Sequence, residues 1–336
     1  MTNSSSPLVT FALFAYNQGQ FIREAVQGAF SQDYPFMEIV ISDDCSTDNT
    51  FEIIEELVRD YKGPHKLIIN RNPRNIGLVA SVNKVFIEIA HGEWFVTAAG
   101  DDVSLPTRVT QAMAIAKSDV RIKGVHCAVD RVDEGGNFLN ALSPRKVDLK
   151  NIENESMLGA AACYHRDVMD VFGPMSNSVQ NEDMVLTLRA LLIGHIHSLD
   201  ESCVVWRRHG NNISGKIGRS AMDQVRFLYC EYVRRRVSST AQQMCDTLSE
   251  DKRITVTEQE LTNLQKRLLH KTRADWQLSI FAKWMLDSGA APLSVKLKPI
   301  NWFTILRYIL AQHISMKFPS IHKLIHTVRN KRMINS

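Results

Sequence analysis

The first hundred residues alternate short apolar runs with stretches whose apolar positions recur every three or four residues. Residues 8–15 read as a buried strand, and 21–30 as a helix with Ile22, Val26 and Phe30 along one stripe. Residues 38–42 predict a second strand. Ser46-Thr47-Asp48-Asn49-Thr50 supplies helix-start chemistry, and Ile53, Ile54, Leu57 and Val58 form the buried face that follows. Residues 67–70 predict a third strand, 79–90 a helix and 94–98 a fourth strand. Strands alternating with helices imply an α/β fold, a largely parallel central sheet flanked by helices.

In such sheets ligands bind outside the carboxyl ends of the strands. Each predicted strand does run into polar residues there: Tyr16-Asn17, Asp43-Asp44, Asn75 with Gly77, and Asp101-Asp102. Four polar constellations at four strand ends converge on one crevice. Beyond 104 the alternation is less regular, with a Gly135-Gly136 turn, and from 216 onward the pattern is helical. There Thr257-x-x-Glu260 forms a capping box before Leu261, Leu264 and Leu268. The expected divisions are 1–103, 104–215 and 216–336.

Composition narrows the class. A chain of 336 residues with 44% hydrophobic and 23% charged residues is an ordinary globular protein, neither disordered nor collagen-like. Its six cysteines are scattered and never spaced C-x-x-C, which suits a reducing compartment. The start, Met1-Thr2-Asn3-Ser4-Ser5-Ser6-Pro7, has neither a basic region nor an apolar core, so a signal peptide is not expected. No window approaches the roughly 20 apolar residues of a spanning helix. A cytoplasmic protein is expected. The chain lacks G-x-G-x-x-G after the first strand, G-x-x-x-x-G-K-[ST] and G-x-S-x-G, which argues against dinucleotide oxidoreductases, P-loop NTPases and serine hydrolases.

The polar clusters each have two readings. Asp43-Asp44-Cys45-Ser46-Thr47-Asp48 is either a capped turn or a carboxylate site for a nucleotide base or ribose. Gly100-Asp101-Asp102 is a solvated turn, or a pair of carboxylates offset by Mn²⁺ or Mg²⁺ beside a diphosphate. Glu182-Asp183 complements a helix dipole, or supplies a general base for a sugar hydroxyl. Arg207, Arg208 and His209 form a basic loop, or place positive charge on a leaving diphosphate, with His209 as a further metal ligand.

Taken together, these residues resemble family 2 glycosyltransferases, inverting enzymes of the GT-A fold. The likeness runs in order from about 7 to 215. It comprises Val9-Thr10-Phe11-Ala12-Leu13-Phe14-Ala15-Tyr16-Asn17, then Ser31-Gln32-Asp33-Tyr34-Pro35 with the Asp43–Asp48 motif, then Asn72-Pro73-Arg74-Asn75-Ile76-Gly77. His91-Gly92-Glu93-Trp94 through Gly100-Asp101-Asp102 follows, then Gly159-Ala160-Ala161-Ala162-Cys163-Tyr164 with Phe172-Gly173-Pro174. Asn181-Glu182-Asp183 with Arg189, and Trp206-Arg207-Arg208-His209-Gly210-Asn211-Asn212-Ile213-Ser214, close the series.

The resemblance implies a GT-A domain, Rossmann-like, with a helical C-terminal extension. It implies that Asp44 contacts the base, with Phe14, Ala15, Tyr16, Asn17, Asp43, Asn75 and Gly77 about the nucleotide. Asp101 would lie by the ribose or diphosphate and Asp102 would coordinate the divalent cation. Asp183 would deprotonate the acceptor, with Gly159, Ala160, Glu182, Arg207, Arg208 and His209 about the acceptor or diphosphate. The partners implied are a nucleotide-sugar, by default a UDP-sugar, and a glycan or lipid-linked acceptor in bacterial surface-polysaccharide synthesis, such as O-antigen or capsule. No nucleic-acid partner is expected. Two positions depart from the family pattern: Ala99 stands where many relatives have Asp, and Cys45 where Gly is usual. Ala99 keeps open a non-catalytic module that binds nucleotide or glycan.

Charge changes the picture at one end. The net charge is +4, yet from residue 288 onward there are only basic ionised residues, Lys296, Lys298, Arg307, Lys317, Lys323, Arg329, Lys331 and Arg332. The rest of the chain is therefore net acidic. Trp302, Ile305, Leu306, Ile309 and Leu310, then Ile321, Leu324, Ile325 and Val328, keep helical spacing. Such a basic amphipathic pair either docks peripherally on an anionic membrane surface or packs its apolar face on the body. A basic membrane-surface adaptor is the third reading of the whole chain.

Overall fold

The computed structural model describes residues 6–152, 155–176, 179, 181–210, 212, 259–260, 262–264 and 266–267. These lie within a compact unit, Met1–Gln277. The predicted tail helices and most of the 216–336 segment fall outside the described residues.

The predicted alternation is present. β1 (Val9–Ala15), α1 (Ile22–Phe30), β2 (Met37–Asp43), α2 (Thr50–Asp60), β3 (Lys66–Arg71), α3 (Leu78–Lys84) and β4 (Trp94–Ala99) follow in order. The helix expected over 79–90 changes pitch partway, continuing as a π-helical turn, Val85–Ile89. β1 and β2 are buried at every position, which is why both read as largely apolar runs. Of their few polar residues, Glu38 is satisfied by Thr10 Oγ1 at 2.8 Å and by the His91 N–H at 2.6 Å.

The second half comprises β5 (Val103–Ser104), α4 (Arg108–Ala116), β6 (Ile122–Asp133), β7 (Phe138–Leu142), β8 (Ala162–His165), α5 (Asp167–Asp170), α6 (Glu182–Ile193) and β9 (His195–Arg208). All nine strands form one sheet in the order β3-β2-β1-β4-β8-β6-β9-β5, with β7 paired to β6. The first four are parallel, whereas β8 runs antiparallel to both β4 and β6. The sheet is thus parallel in its first half and mixed in its second. The chain moves outward from β1 to β3, then returns to place β4 on the other side of β1. That reversal opens a crevice at the carboxyl ends of β1 and β4.

Helices cover both faces. Phe11 and Leu13 of β1 pack with α1, α4 and Ile54 of α2, while Ala12 and Phe14 face the side carrying α3, α5 and α6. α6 is buried from Met184 to Ile193, so it is a core helix of which only Glu182 and Asp183, in the first turn, are partly exposed. Leu264, from the segment expected to be helical, is buried in the same core.

Candidate active site

The loops after β1 and β2 are fastened to each other. The Asn17 N–H donates to Ser46 Oγ at 2.9 Å, and Asn17 Oδ1 accepts from the Thr47 N–H at 2.8 Å. Gln18 N–H bonds Thr50 Oγ1 at 2.8 Å, and Gly19 N–H bonds Asp48 Oδ2 at 3.0 Å. A Cβ on Gly19 would lie 2.1 Å from Asn49 Oδ1, so a larger residue there would require the Asn49 side chain to move. Asn17, expected at the nucleotide, is instead a loop fastener. Phe14 is likewise in the core, edge-on to Phe86 at 6.3 Å, and Ala15 is buried. Tyr16, the residue directly after β1, is 44% exposed.

The two aspartates after β2 have opposite fates. Asp43 is fully buried, accepting from the Ser46 N–H at 2.9 Å and from Ser46 Oγ, with Arg71 Nε at 3.7 Å. It pins the turn and cannot meet a ligand, which corrects its expected role. Asp44 Oδ1 accepts from Asn72 Nδ2 at 3.0 Å and the Ile76 N–H at 2.9 Å, and Oδ2 from the Gly77 N–H at 2.8 Å. It therefore draws the Asn75–Gly77 turn over the end of β2. Gly77 takes φ +84°, a left-handed value that favours glycine, and Asn75 Oδ1 accepts the same N–H at 3.1 Å. A carboxylate offers about four lone-pair sites. Three are filled, leaving one on Oδ2.

At the end of β4 the backbone closes onto β1, Gly100 N–H donating to the Phe14 carbonyl at 2.9 Å. Asp101 Oδ2 meets His209 Nε2 at 2.9 Å and Asn212 Nδ2 at 3.1 Å. Asp102 turns inward, its Oδ1 accepting the Arg207 backbone N–H at 2.9 Å. Burial, then the neighbouring Asp101 charge, raise the Asp102 carboxyl well above the usual range. The pair thus divides differently from the expectation: Asp101 with His209 offers the converging donors, and Asp102 sits behind them.

Among the described residues no group of three His, Cys, Asp or Glu side chains is arranged to hold a metal ion. Asp101 and His209 nevertheless fit one edge of a divalent-cation shell. An oxygen and an imidazole nitrogen suit Mn²⁺, which takes remaining ligands from waters and phosphate oxygens.

The expected base stands in the first turn of α6. Asp183 Oδ1 accepts the Met184 N–H at 2.7 Å. Beside it, burial, reinforced by the Asp183 charge, pushes the Glu182 carboxyl up to about 8. Gly159 passes against both, a Cβ there meeting Glu182 Oε1 at 3.3 Å and Asp183 Cβ at 3.5 Å. Gly159 and Ala160 form a 3-10 turn whose Gly159 carbonyl accepts from Thr97 Oγ1 of β4. Arg189, quoted with the base motif, is a buried brace, donating to the carbonyls of Val168 at 3.1 Å and Gly173 at 2.7 Å.

Arg207 does not aim its charge at a diphosphate. Its guanidinium bonds Glu24 Oε2 at 2.6 Å and the Asp101 and Glu134 carbonyls at 3.3 Å each, over the Phe21 ring. It is a brace between β9 and α1. Arg208 points to the other face and stacks on Trp206, 4.9 Å from the ring centroid. A cavity of about 440 Å³ opens beside His209, between Arg208 and Gly210 on one side and Asp133, Glu134 and Gly135 on the other. The sequence alone marks Asn72 only as part of its turn motif and not as the anchor of Asp44, and gives no signal for Thr97, because their partners are distant in sequence.

This sheet order and these crevice residues define a GT-A glycosyltransferase fold. Residues 10–168 match the family described as Glycosyl transferase family 2. A chondroitin synthase of Pasteurella multocida is 25% identical over 344 residues, covering 98% of this chain and 34% of that protein. The chain therefore spans about a third of that relative's length. Among solved structures, S. aureus TarS 1-349 superposes with a TM-score of 0.55 at 17% identity, over 90% of this chain and 80% of that one. The mannosyltransferase PcManGT of Pyrobaculum calidifontis, in complex with GDP-Man and Mn²⁺, gives 0.53 at 17% identity over 94% and 89%.

Proposed function

We propose that this chain is a divalent-cation-dependent, inverting glycosyltransferase. It moves a sugar from a nucleoside-diphosphate sugar to a hydroxyl of a glycan or lipid-linked acceptor, in bacterial surface-polysaccharide assembly. The observation that carries this reading is the pairing of Asp101 with His209 at the carboxyl end of β4, 2.9 Å apart.

In this reading Tyr16 stacks on the base and the free lone pair of Asp44 accepts its ring N–H. Asp101 and His209 hold the cation, which, when bound, neutralises the leaving diphosphate. Asp183 takes the proton from the acceptor hydroxyl as that oxygen attacks the anomeric carbon from the face opposite the nucleotide. Glu182, protonated beside it, keeps the single negative charge on Asp183. One displacement inverts the anomeric configuration. The family 2 match supports the donor chemistry, and the fold-mate solved with GDP-Man and Mn²⁺ binds ligands of the same class.

A thermal-shift series with UDP- and GDP-sugars, each with and without Mn²⁺, tests the reading. It predicts that at least one nucleotide-sugar raises the melting temperature and does so more with Mn²⁺. No stabilisation by any of them would contradict it. Among the described residues no helix is long and apolar enough to cross a membrane. We place the protein at the cytoplasmic face of a membrane, with the basic segment beyond 288 as the contact.

A further inference from the structure

We infer that the face of the β6–β9 ladder carrying Arg131, Trp206 and Arg208 binds an anionic group of the acceptor, a phosphate or a carboxylate; this rests on Asp183 marking the acceptor side. Arg131 is register partner of Trp206, and Arg208 of Asp133, so all four residues share one face of the ladder. The Arg131 guanidinium carbon lies 5.4 Å from the Trp206 ring centroid and that of Arg208 4.9 Å. Two cations are therefore gathered on one indole. Their mutual repulsion adds to burial in lowering the Arg208 pKa.

The described residues do not neutralise this pair at Arg131. No carboxylate among them lies within ion-pair distance of Arg131, whose one side-chain bond, to Asn140 Oδ1, is 3.4 Å long. Its Nε is buried without an acceptor. Asp133 is committed elsewhere, its carboxylate accepting from the Asn137 N–H at 2.9 Å and Nδ2 at 3.0 Å. Buried N–H donors without acceptors are costly, and a guanidinium fork matches phosphate and carboxylate oxygens.

The place fits an acceptor. Trp206 and Leu158 pack against one small core cluster, Cys127, Val129, Ala161, Cys203 and Val204, and the residue after Leu158, Gly159, passes against Glu182 and Asp183. The cationic face thus lies beside the turn that carries the acceptor to its base, and the cavity next to Arg208 leaves room for a sugar. A phosphate of a phosphorylated acceptor and the carboxylate of a uronic acid share this chemistry.

The test is isothermal titration of the full chain, saturated with UDP and Mn²⁺ to fill the donor site. The probes are inorganic phosphate, methyl glucuronide and, as uncharged control, methyl glucoside. We expect at least one anion to bind more tightly than methyl glucoside, and the tighter anion identifies the source. Arg131→Gln should weaken that binding about 10-fold or more, Arg208→Gln similarly, with Arg131→Lys between. Anions binding no better than methyl glucoside, or both glutamine variants retaining wild-type anion affinity, would overturn the inference. UDP binding in each variant reports folding. Failure of the wild type to bind any nucleotide would instead contradict the glycosyltransferase reading.

Discussion

Asp101 Oδ2 and His209 Nε2 stand 2.9 Å apart although 108 residues separate them in the chain. The end of β4 and the end of β9 supply one half each, and Asn212 Nδ2 steadies the same oxygen at 3.1 Å. The pairing ties the closing loop to the end of β4. His209→Ala and Asp101→Asn should each reduce Mn²⁺-dependent nucleotide binding by about 10-fold or more. The double variant should lose little more than either single, because both act on one ion. Titration of nucleotide with and without Mn²⁺ checks this, and additive losses would separate the two residues.

Asp44 is predicted to be structural and ligand-binding together. In Asp44→Asn one carboxylate oxygen becomes an amide NH2, so either the Asn72 and Ile76 donors lose their shared acceptor, or the Gly77 N–H keeps only its 3.1 Å bond to Asn75 Oδ1. The cost is about 1–3 kcal/mol, with weaker nucleotide binding. Exposed Asn75→Ala should leave stability nearly unchanged. Thermal melts and nucleotide titrations of the two variants make the comparison.

Cys45 occupies the left-handed region, φ +60°, where a side chain is strained by roughly 1–2 kcal/mol. Cys45→Gly should therefore raise stability by up to about 1 kcal/mol after glycine's entropic cost. Cys45→Val, branched at Cβ, should lower it. Denaturant midpoints of the three proteins decide the order.

The Glu182 carboxyl, pushed up to about 8, links stability to pH. Its folded pKa exceeds its unfolded value, so its contribution is fully present below about pH 4 and is lost as pH rises through about 8. Wild-type melting temperature should fall between pH 5 and pH 9 by more than that of Glu182→Gln. Parallel slopes for the two proteins would contradict the assignment.

The first four strands were legible because their apolar runs are short, buried and separated by helical periodicity. The π-helical turn was not, since Val85–Ile89 keeps an apolar pattern compatible with either pitch. Nor was the antiparallel course of β8: Ala162–His165 gives a short apolar run but no sign of direction. Asp43 and Asp44 are chemically identical neighbours, and only the alternation of β2 sends one to Arg71 and the other to Gly77. Arg207 read as a diphosphate ligand because its partner, Glu24, lies 183 residues away. Local pattern fixes elements and their polar ends, while long-range partners decide which polar side chain remains for a ligand.

The central claim is that Asp183 is the base of an inverting sugar transfer. Its most direct measurement is the turnover of Asp183→Asn with a donor found to bind the wild type, alongside donor affinity. The account predicts a fall in kcat of ~10²–10⁴ with donor affinity unchanged. Full turnover in Asp183→Asn, with the product's anomeric configuration inverted, would contradict it.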